Sequence, residues 1–248
     1  MPTPFTHLAN ARRLLADRAV PESIRAALLA HESAFLLGNI AADGHHLTRL
    51  KRDETHFYQY DRPLDDHPWR VMLSRHPSLR AVDAEEARAF LAGYVAHLCL
   101  DEIWWLELTR PYFALREWGT REGRFLMLNI LLIQMDERDF AAAQTTAIPL
   151  AAAIPHHWLP FMDDSALIAW RDMIVRQIVP DGDSETLEVI APRVNLTPQA
   201  LRALVDDAPH LEADLYAHIA RDTVAAVEAK MDLYAREQVI VYWNESNL

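Results

Sequence analysis

A histidine and an aspartate four residues apart, His97 and Asp101, lie in an apolar, proline-free stretch that is typical of a buried helix. In an α-helix, residues four apart share one face, so the imidazole and the carboxylate point the same way. Burying a carboxylate is costly unless it is paired or coordinates an ion. The two residues therefore form either a structural hydrogen bond or part of a metal site.

Three further donors are flanked by apolar residues: His7 in a predicted first helix, Asp43 at the end of an apolar helix, and His56 in an aromatic-rich loop. Three imidazoles and two carboxylates suit Zn²⁺, with Fe, Mn or Ni as alternatives. Five donors exceed one tetrahedral shell, which allows a bridging carboxylate and a second ion. Gly93, one turn before His97, lets the segment carrying Asp43 approach the helix backbone closely.

The elements that must position these residues are predicted to be helices, since no stretch shows sustained strand alternation and the chain has only six glycines. The first helix begins at Thr3 or Thr6 and closes near Asp17. An irregular loop is predicted over residues 47–68. The other predicted helices cover residues 21–42, 83–109, 121–135, 164–178, 197–207 and 211–241. We expect an all-α fold in one domain, with a helical metal-binding core over residues 1–195 and an appended helical hairpin over residues 196–248.

Composition excludes several classes of protein. The chain has 248 residues and a formal net charge of −12, which argues against a general nucleic-acid binder or electrostatic docking on anionic membranes. A single cysteine, Cys99, excludes a disulfide framework and a thiolate metal cluster. The amino terminus lacks a signal pattern, and the longest apolar run is too short to span a bilayer. These features predict a cytoplasmic protein.

Four blocks of the chain, residues 2–7, 38–43, 55–57 and 93–101, read Pro-Thr-Pro-Phe-Thr-His, Gly-Asn-Ile-Ala-Ala-Asp, Thr-His-Phe and Gly-Tyr-Val-Ala-His-Leu-Cys-Leu-Asp. In their order and gaps they resemble the bacterial zinc-dependent phospholipase C family. The resemblance covers roughly residues 1–110. It implies an all-helical fold related to the zinc nucleases of the S1/P1 type, and phosphoester hydrolysis at a cluster of up to three zinc ions.

By matching position, the resemblance implies that Asp43, His56, His97 and Asp101 hold one zinc ion. It also implies that Asp101 bridges to a second ion bound by His7, and that Asp43 helps to activate water and is thus the catalytic residue. Lys51 and its arginine neighbours at positions 49 and 52 could hold an anionic group of the substrate, but a solvated loop is the favoured interpretation.

The chain departs from the family downstream of the central helix. Trp105 stands where a histidine often follows the aspartate, and His156 and His157 lie in a predicted turn with no suitable glutamate nearby. One or two ions are therefore expected rather than three. His45 and His46, which border Asp43, could orient a ligand or simply lie in an exposed turn.

The leading hypothesis is a zinc-dependent hydrolase of phosphoester bonds that acts on a small-molecule or lipid-like substrate. An alternative is a non-catalytic all-α metal-binding protein with a structural or sensing metal and a long carboxy-terminal helix that forms a homo-oligomer. A closed four-coordinate site would favour that alternative, since catalytic zinc keeps an open position. A third hypothesis has no metal, with His97 and Asp101 as a buried polar pair.

Overall fold

The computed structural model describes residues 2–246, and in that range it is entirely helical, without a β-strand. The all-α prediction is therefore confirmed. The helices are α1 Pro4–Ala16, α2 Glu22–Ala30, α3 Glu32–Ala41, α4 Arg52–Thr55, α5 Pro68–Arg75, α6 Glu85–Ile103, α7 Arg121–Gln144, α8 Ala147–Ala151, α9 Asp164–Ile178, α10 Thr186–Ile190, α11 Pro198–Val205, α12 Ala208–Leu211 and α13 Arg221–Glu245.

Several helix starts follow from local sequence signals. Pro4 and Pro198 occupy the first turns of α1 and α11, where a missing backbone N–H has no cost. Thr197 precedes Pro198, and its side chain accepts a hydrogen bond from the backbone N–H of Ala200. These local signals alone were enough to locate both helices in the sequence.

The centre of the molecule is the crossing of α3 and α6, where two glycines remove the side chains that would keep the backbones apart. A Cβ atom built on Gly38 would lie 1.9 Å from the carbonyl oxygen of Phe90. A Cβ atom built on Gly93 would lie 2.1 Å from the carbonyl oxygen of Phe35. The close approach predicted at Gly93 is present, although its neighbour is helix α3 itself rather than the segment that follows it.

Helical periodicity did not show where helices break. The predicted helix over residues 21–42 is two helices, because the backbone leaves the helical region at His31, with φ −120° and ψ 39°. The predicted loop over residues 47–68 contains the short helix α4, and a 3₁₀ turn covers Ala42–Leu47. The central helix α6 continues into a π-helical segment, Trp104–Leu115, that contains Pro111.

The carboxy-terminal half also differs from the predicted boundaries. Helix α7 extends to Gln144, and the predicted last helix begins ten residues late, at Arg221. Helix α13 packs along α6, and the Trp69 indole donates a hydrogen bond of 3.1 Å to the side chain of Gln238 on α13. The division between residues 195 and 196 stays a prediction. None of the helices in residues 2–246 has the length and hydropathy needed to cross a bilayer.

Candidate metal centre

Five buried or nearly buried donors converge where four segments meet. His7 comes from α1, Asp43 from the 3₁₀ turn after α3, His56 from the end of α4, and His97 and Asp101 from α6. The two histidines His56 and His97 and the carboxylate Asp101 are completely buried, as is His7, and Asp43 is 9% exposed. The structure thus brings together all five residues that the sequence singled out.

Four pairs of ligand atoms, from four of the five donor residues, lie at nearly equal distances. Nε2 of His56 is 3.3 Å from Oδ2 of Asp101 and 3.4 Å from Oδ1 of Asp43. Nε2 of His97 is 3.4 Å from Oδ2 of Asp101 and 3.4 Å from Nε2 of His56. Zinc bonds of about 2.0–2.2 Å in a tetrahedral shell place neighbouring ligand atoms about 3.3–3.6 Å apart. The observed separations match that spacing and exceed those of ordinary N–H···O hydrogen bonds, about 2.7–3.2 Å.

The polar atoms of the centre that lack hydrogen-bond partners also favour a bound cation. Among residues 2–246, neither carboxylate oxygen of Asp101 and neither ring nitrogen of His7 has a hydrogen-bond partner. An ionised carboxylate that is buried without partners is strongly destabilising. Because a divalent ion would satisfy the oxygens of Asp101 and the facing ring nitrogen of His7, the donor set fits a metal better than a buried polar pair.

Contacts outside the centre fix the two inner imidazoles. The Nδ1–H group of His97 donates to the carbonyl oxygen of Asn39 at 2.8 Å. Nδ1 of His56 lies 3.2 Å from the carbonyl oxygen of Arg52 and 3.0 Å from the hydroxyl of Thr55. Since a carbonyl oxygen only accepts, each Nδ1 carries the proton and each Nε2 presents its lone pair to the centre.

Asp101 also faces a third histidine with its other oxygen. Nε2 of His7 is 3.6 Å from Oδ1 of Asp101, whereas His56 and His97 face Oδ2. The rings of His7 and His97 are stacked, with centroids 3.8 Å apart and planes 11° apart. This arrangement is compatible with a carboxylate that bridges two ions.

The electrostatics of the centre favour the metal-binding protonation states of both carboxylates, of His7 and of His56. Burial lowers the pKa of His56 to about 4, and burial together with the neighbouring His97 lowers the pKa of His7. Burial alone would raise the pKa of Asp43 and Asp101, but the surrounding histidines outweigh it and hold both well below their usual range. Burial would also lower the pKa of His97, yet Asp101 beside it raises it. Ionised carboxylates and neutral imidazoles are the forms that coordinate metals.

A cavity of about 470 Å³ opens beside the centre and is reached by Asp43. The cavity is polar at the end that Asp43 reaches. Its more distant walls, which are formed by α7, α9 and α10, are mostly apolar. The apolar lining includes Phe5, Phe125, Leu128, Leu132, Trp170, Met173, Ile174, Val189 and Ile190. The centre is therefore enclosed on the Asp101 side and accessible on the Asp43 side.

Arg52 differs from its basic neighbours. Arg49 and Lys51 are exposed, in agreement with a solvated loop. Arg52 instead is partly buried, with its guanidinium 4.4 Å and 4.3 Å from the ring centroids of Tyr58 and Tyr60, and it lines the cavity. Its Nη2 atom is 3.9 Å from Oδ2 of Asp101. The solvated-loop interpretation is therefore wrong for Arg52, because aromatic stacking holds the cation over the centre.

No protein-family model, no curated protein and no solved structure matches this chain. The resemblance to zinc-dependent phospholipase C therefore stays a prediction.

Four of the remaining histidines form two groups, one beside the centre and one away from it. His45 and His46 lie beside Asp43, and potential ligand atoms of the three residues lie within 4.8 Å of one another. His156 and His157 are exposed, and the side chain of His157 is 96% exposed. The second group therefore contributes nothing to the centre.

One site residue was missed in the sequence. Asp136 is 1% exposed at the far end of the cavity, where the hydroxyl groups of Thr3 and Thr186 donate to its two oxygens. Burial raises its pKa to about 7. The sequence carried one signal for Asp136. Asn129, Leu132 and Asp136 are spaced by three and four residues on α7, so they share one face of that helix.

Proposed function

We propose that this chain is a metal-dependent hydrolase of phosphoester bonds, with zinc as the favoured metal and a small-molecule or lipid-like phosphoester as the substrate. The observation that carries the proposal is the set of four donor residues linked by four distances of 3.3–3.4 Å between ligand atoms, next to an open cavity. A bound metal in such a centre supplies Lewis acidity and an activated water. We also infer that the fold is of the zinc phospholipase C and P1 nuclease type.

The proposed metal ligands and Arg52 would have different roles. His56, His97 and Asp101 hold the ion on the enclosed side, and Asp43 completes the shell at the cavity. Asp43 stays ionised because, against the effect of burial, the neighbouring His56 and His97 hold its pKa well below its usual range. From there its carboxylate can orient an attacking water. Arg52, which lines the same cavity, supplies a cation for the phosphoryl oxygens.

The shape of the cavity supports a substrate with one anionic end. Its polar end contains Asp43 and Arg52, and the walls beyond them are mostly apolar. An apolar group attached to the phosphoester would therefore bury its surface against α7 and α9. The net charge of −12 disfavours a polyanionic nucleic acid as the substrate.

A non-catalytic metal protein is the second candidate. The observation in its favour is that Asp43, His56, His97 and Asp101 supply four ligands, which is the number that a tetrahedral structural zinc site uses. In that case the ion would stabilise the contacts between α3, α4 and α6 without turnover. The two candidates differ in one result, since only the hydrolase has activity when fully loaded with metal.

The test compares two neighbouring carboxylates on α6. Asp101→Asn neutralises the proposed ligand, whereas Glu102→Gln neutralises a buried carboxylate whose partner is His67, 2.9 Å away. We expect wild type and Glu102→Gln to contain metal by mass spectrometry and to cleave chromogenic phosphomonoesters or phosphodiesters. Asp101→Asn should bind zinc more than about 100-fold more weakly and lose activity.

Two outcomes would count against the proposal. Full metal content in Asp101→Asn would show that the assigned ligand is wrong. Full metal content in wild type without hydrolysis of any ester in the panel would favour the non-catalytic metal protein.

A further inference from the structure

A second group of donors stands next to the proposed centre on its open side. Asp43, His45 and His46 belong to the same 3₁₀ turn, Ala42–Leu47, and all three line the cavity. A 3₁₀ helix has three residues per turn, so Asp43 and His46 lie on the same face of the turn. Potential ligand atoms of the three residues lie within 4.8 Å of one another.

The orientation of His45 suits a ligand. Its Nδ1–H group donates to the carbonyl oxygen of Ala42 at 3.0 Å, which leaves the lone pair on Nε2. The ring of His46 lies beside it, with centroids 4.1 Å apart. The ring of His45 in turn meets that of His56 edge-on at 5.4 Å, so the two groups of donors are adjacent.

Asp43 is the residue that the two groups share. Its Oδ1 atom faces His56 at 3.4 Å. A carboxylate has two oxygens, so one oxygen can serve the enclosed centre and the other can serve a neighbouring ion. The two groups would then form one two-ion centre joined by Asp43.

We propose that Asp43, His45 and His46 form a second divalent-cation site, the outer site, at the cavity entrance to the enclosed centre. The proposal rests on the proposed metal centre, because Asp43 is a ligand in both. Two imidazoles and a carboxylate favour Zn²⁺, Co²⁺ or Ni²⁺ over Mg²⁺ or Ca²⁺. Three protein ligands leave a coordination position open, and it faces the cavity in which a phosphoester would lie.

Charge makes the outer site the weaker of the two. Two divalent ions would be balanced by only two carboxylates, Asp43 and Asp101, and the cationic side chains of Arg52 and Arg193 line the same cavity. An anion bound between the ions would offset the excess positive charge. Inorganic phosphate should therefore strengthen binding at the outer site, whereas the fully buried inner donors should depend on it little.

The test counts ions on the intact protein by equilibrium dialysis against Zn²⁺, with and without inorganic phosphate, followed by mass spectrometry. We expect two ions per chain in wild type and one in His46→Gln and in the double variant His45→Gln/His46→Gln. His156→Gln removes an exposed histidine outside both groups and should keep two ions. Phosphate should lower the zinc concentration needed for the second ion by at least about tenfold.

The possible results separate the outer site from the enclosed centre. One ion per chain in wild type would overturn the outer site and leave the enclosed centre in place. Two ions in both wild type and the double variant would overturn the assignment of the histidines. No bound ion in any variant would overturn both proposals.

Discussion

Gly93 is the position at which a single methyl group should disturb both the fold and the candidate centre. The Cβ atom of Gly93→Ala would lie 2.1 Å from the carbonyl oxygen of Phe35 and 2.9 Å from the backbone nitrogen of Asn39. Ordinary contacts of this kind begin at 3.4 Å, so α3 and α6 would have to move apart by about 1.3 Å. The change therefore acts on the crossing that carries the centre.

The magnitude follows from what the methyl group meets. Inserting a methylene into a packed core costs about 1–3 kcal/mol even where side chains can move aside. Here the obstacle is backbone, which moves only with its helix, and the better helix propensity of alanine returns about 1 kcal/mol. We expect a net loss of about 2–4 kcal/mol in the free energy of unfolding.

The same displacement should weaken metal binding. Asn39, which the new methyl group would push away, accepts the 2.8 Å hydrogen bond from Nδ1 of His97. Losing an outer contact of a metal-binding histidine lowers affinity by about 10–100-fold. Gly93→Ala should therefore show weaker zinc binding as well as lower stability.

The assay is urea unfolding of the metal-free proteins followed by circular dichroism, with zinc titration of the folded proteins. Gly123→Ala is the control, because the closest atom to its Cβ would be the side-chain oxygen of Thr120 at 3.3 Å. It should change stability by less than about 1 kcal/mol. If Gly93→Ala were as stable as Gly123→Ala, the close crossing of α3 and α6 would be refuted.

Three further predictions concern charge and metal. Burial raises the pKa of Asp136 to about 7, so the folded state keeps a proton that the unfolded state releases near pH ~4. The free energy of unfolding should accordingly fall by up to about 4 kcal/mol as pH rises from about 4 to 7, and Asp136→Asn should lack that loss in urea unfolding. The same pH dependence of stability in wild type and in Asp136→Asn would contradict this prediction. Removing zinc with EDTA, from a zinc concentration 1,000-fold above Kd, should lower the free energy of unfolding by about 4 kcal/mol as measured by calorimetry, and by at most about 1.4 kcal/mol in Asp101→Asn. Arg52→Gln should raise KM for an anionic ester by at least about tenfold with a smaller change in kcat, and an unchanged KM would remove Arg52 from substrate binding.

The sequence predicted the helical class and located helices that begin with a proline or a capping residue, such as α1 and α11, but it did not predict α5, which begins at Pro68. It also selected the five donors that the structure brings together, because a histidine and an aspartate four residues apart in an apolar helix need a partner. The break at His31 and the π-helical segment after Ile103 were not predictable from periodicity, since both residues lie in stretches with ordinary helical composition. Such changes in hydrogen-bond register depend on tertiary contacts.

Tertiary contacts also explain the residues whose environment was misjudged or missed. Arg52 looks like one of three solvated basic residues until the chain folds Tyr58 and Tyr60 against it. Asp136 sits in a helix whose apolar run ends one residue earlier, and its partners Thr3 and Thr186 are distant in the sequence. No local pattern encodes the environment of Arg52, and the helical spacing around Asp136 marks a face of α7 without indicating Thr3 and Thr186 as its partners.

The distribution of burial favours the proposed catalytic centre over a structural one. A purely structural ion gains from complete enclosure, since every protein ligand is then held by packing. In this chain three of the four ligands of the proposed first ion are fully buried, but Asp43 sits at the wall of a cavity that also contains Arg52 and the histidines at positions 45 and 46. Asp43 is the one proposed ligand that an anion could approach through the cavity, and Arg52 places a cation at that opening. This asymmetry supports the proposal of a hydrolytic centre over that of a structural site.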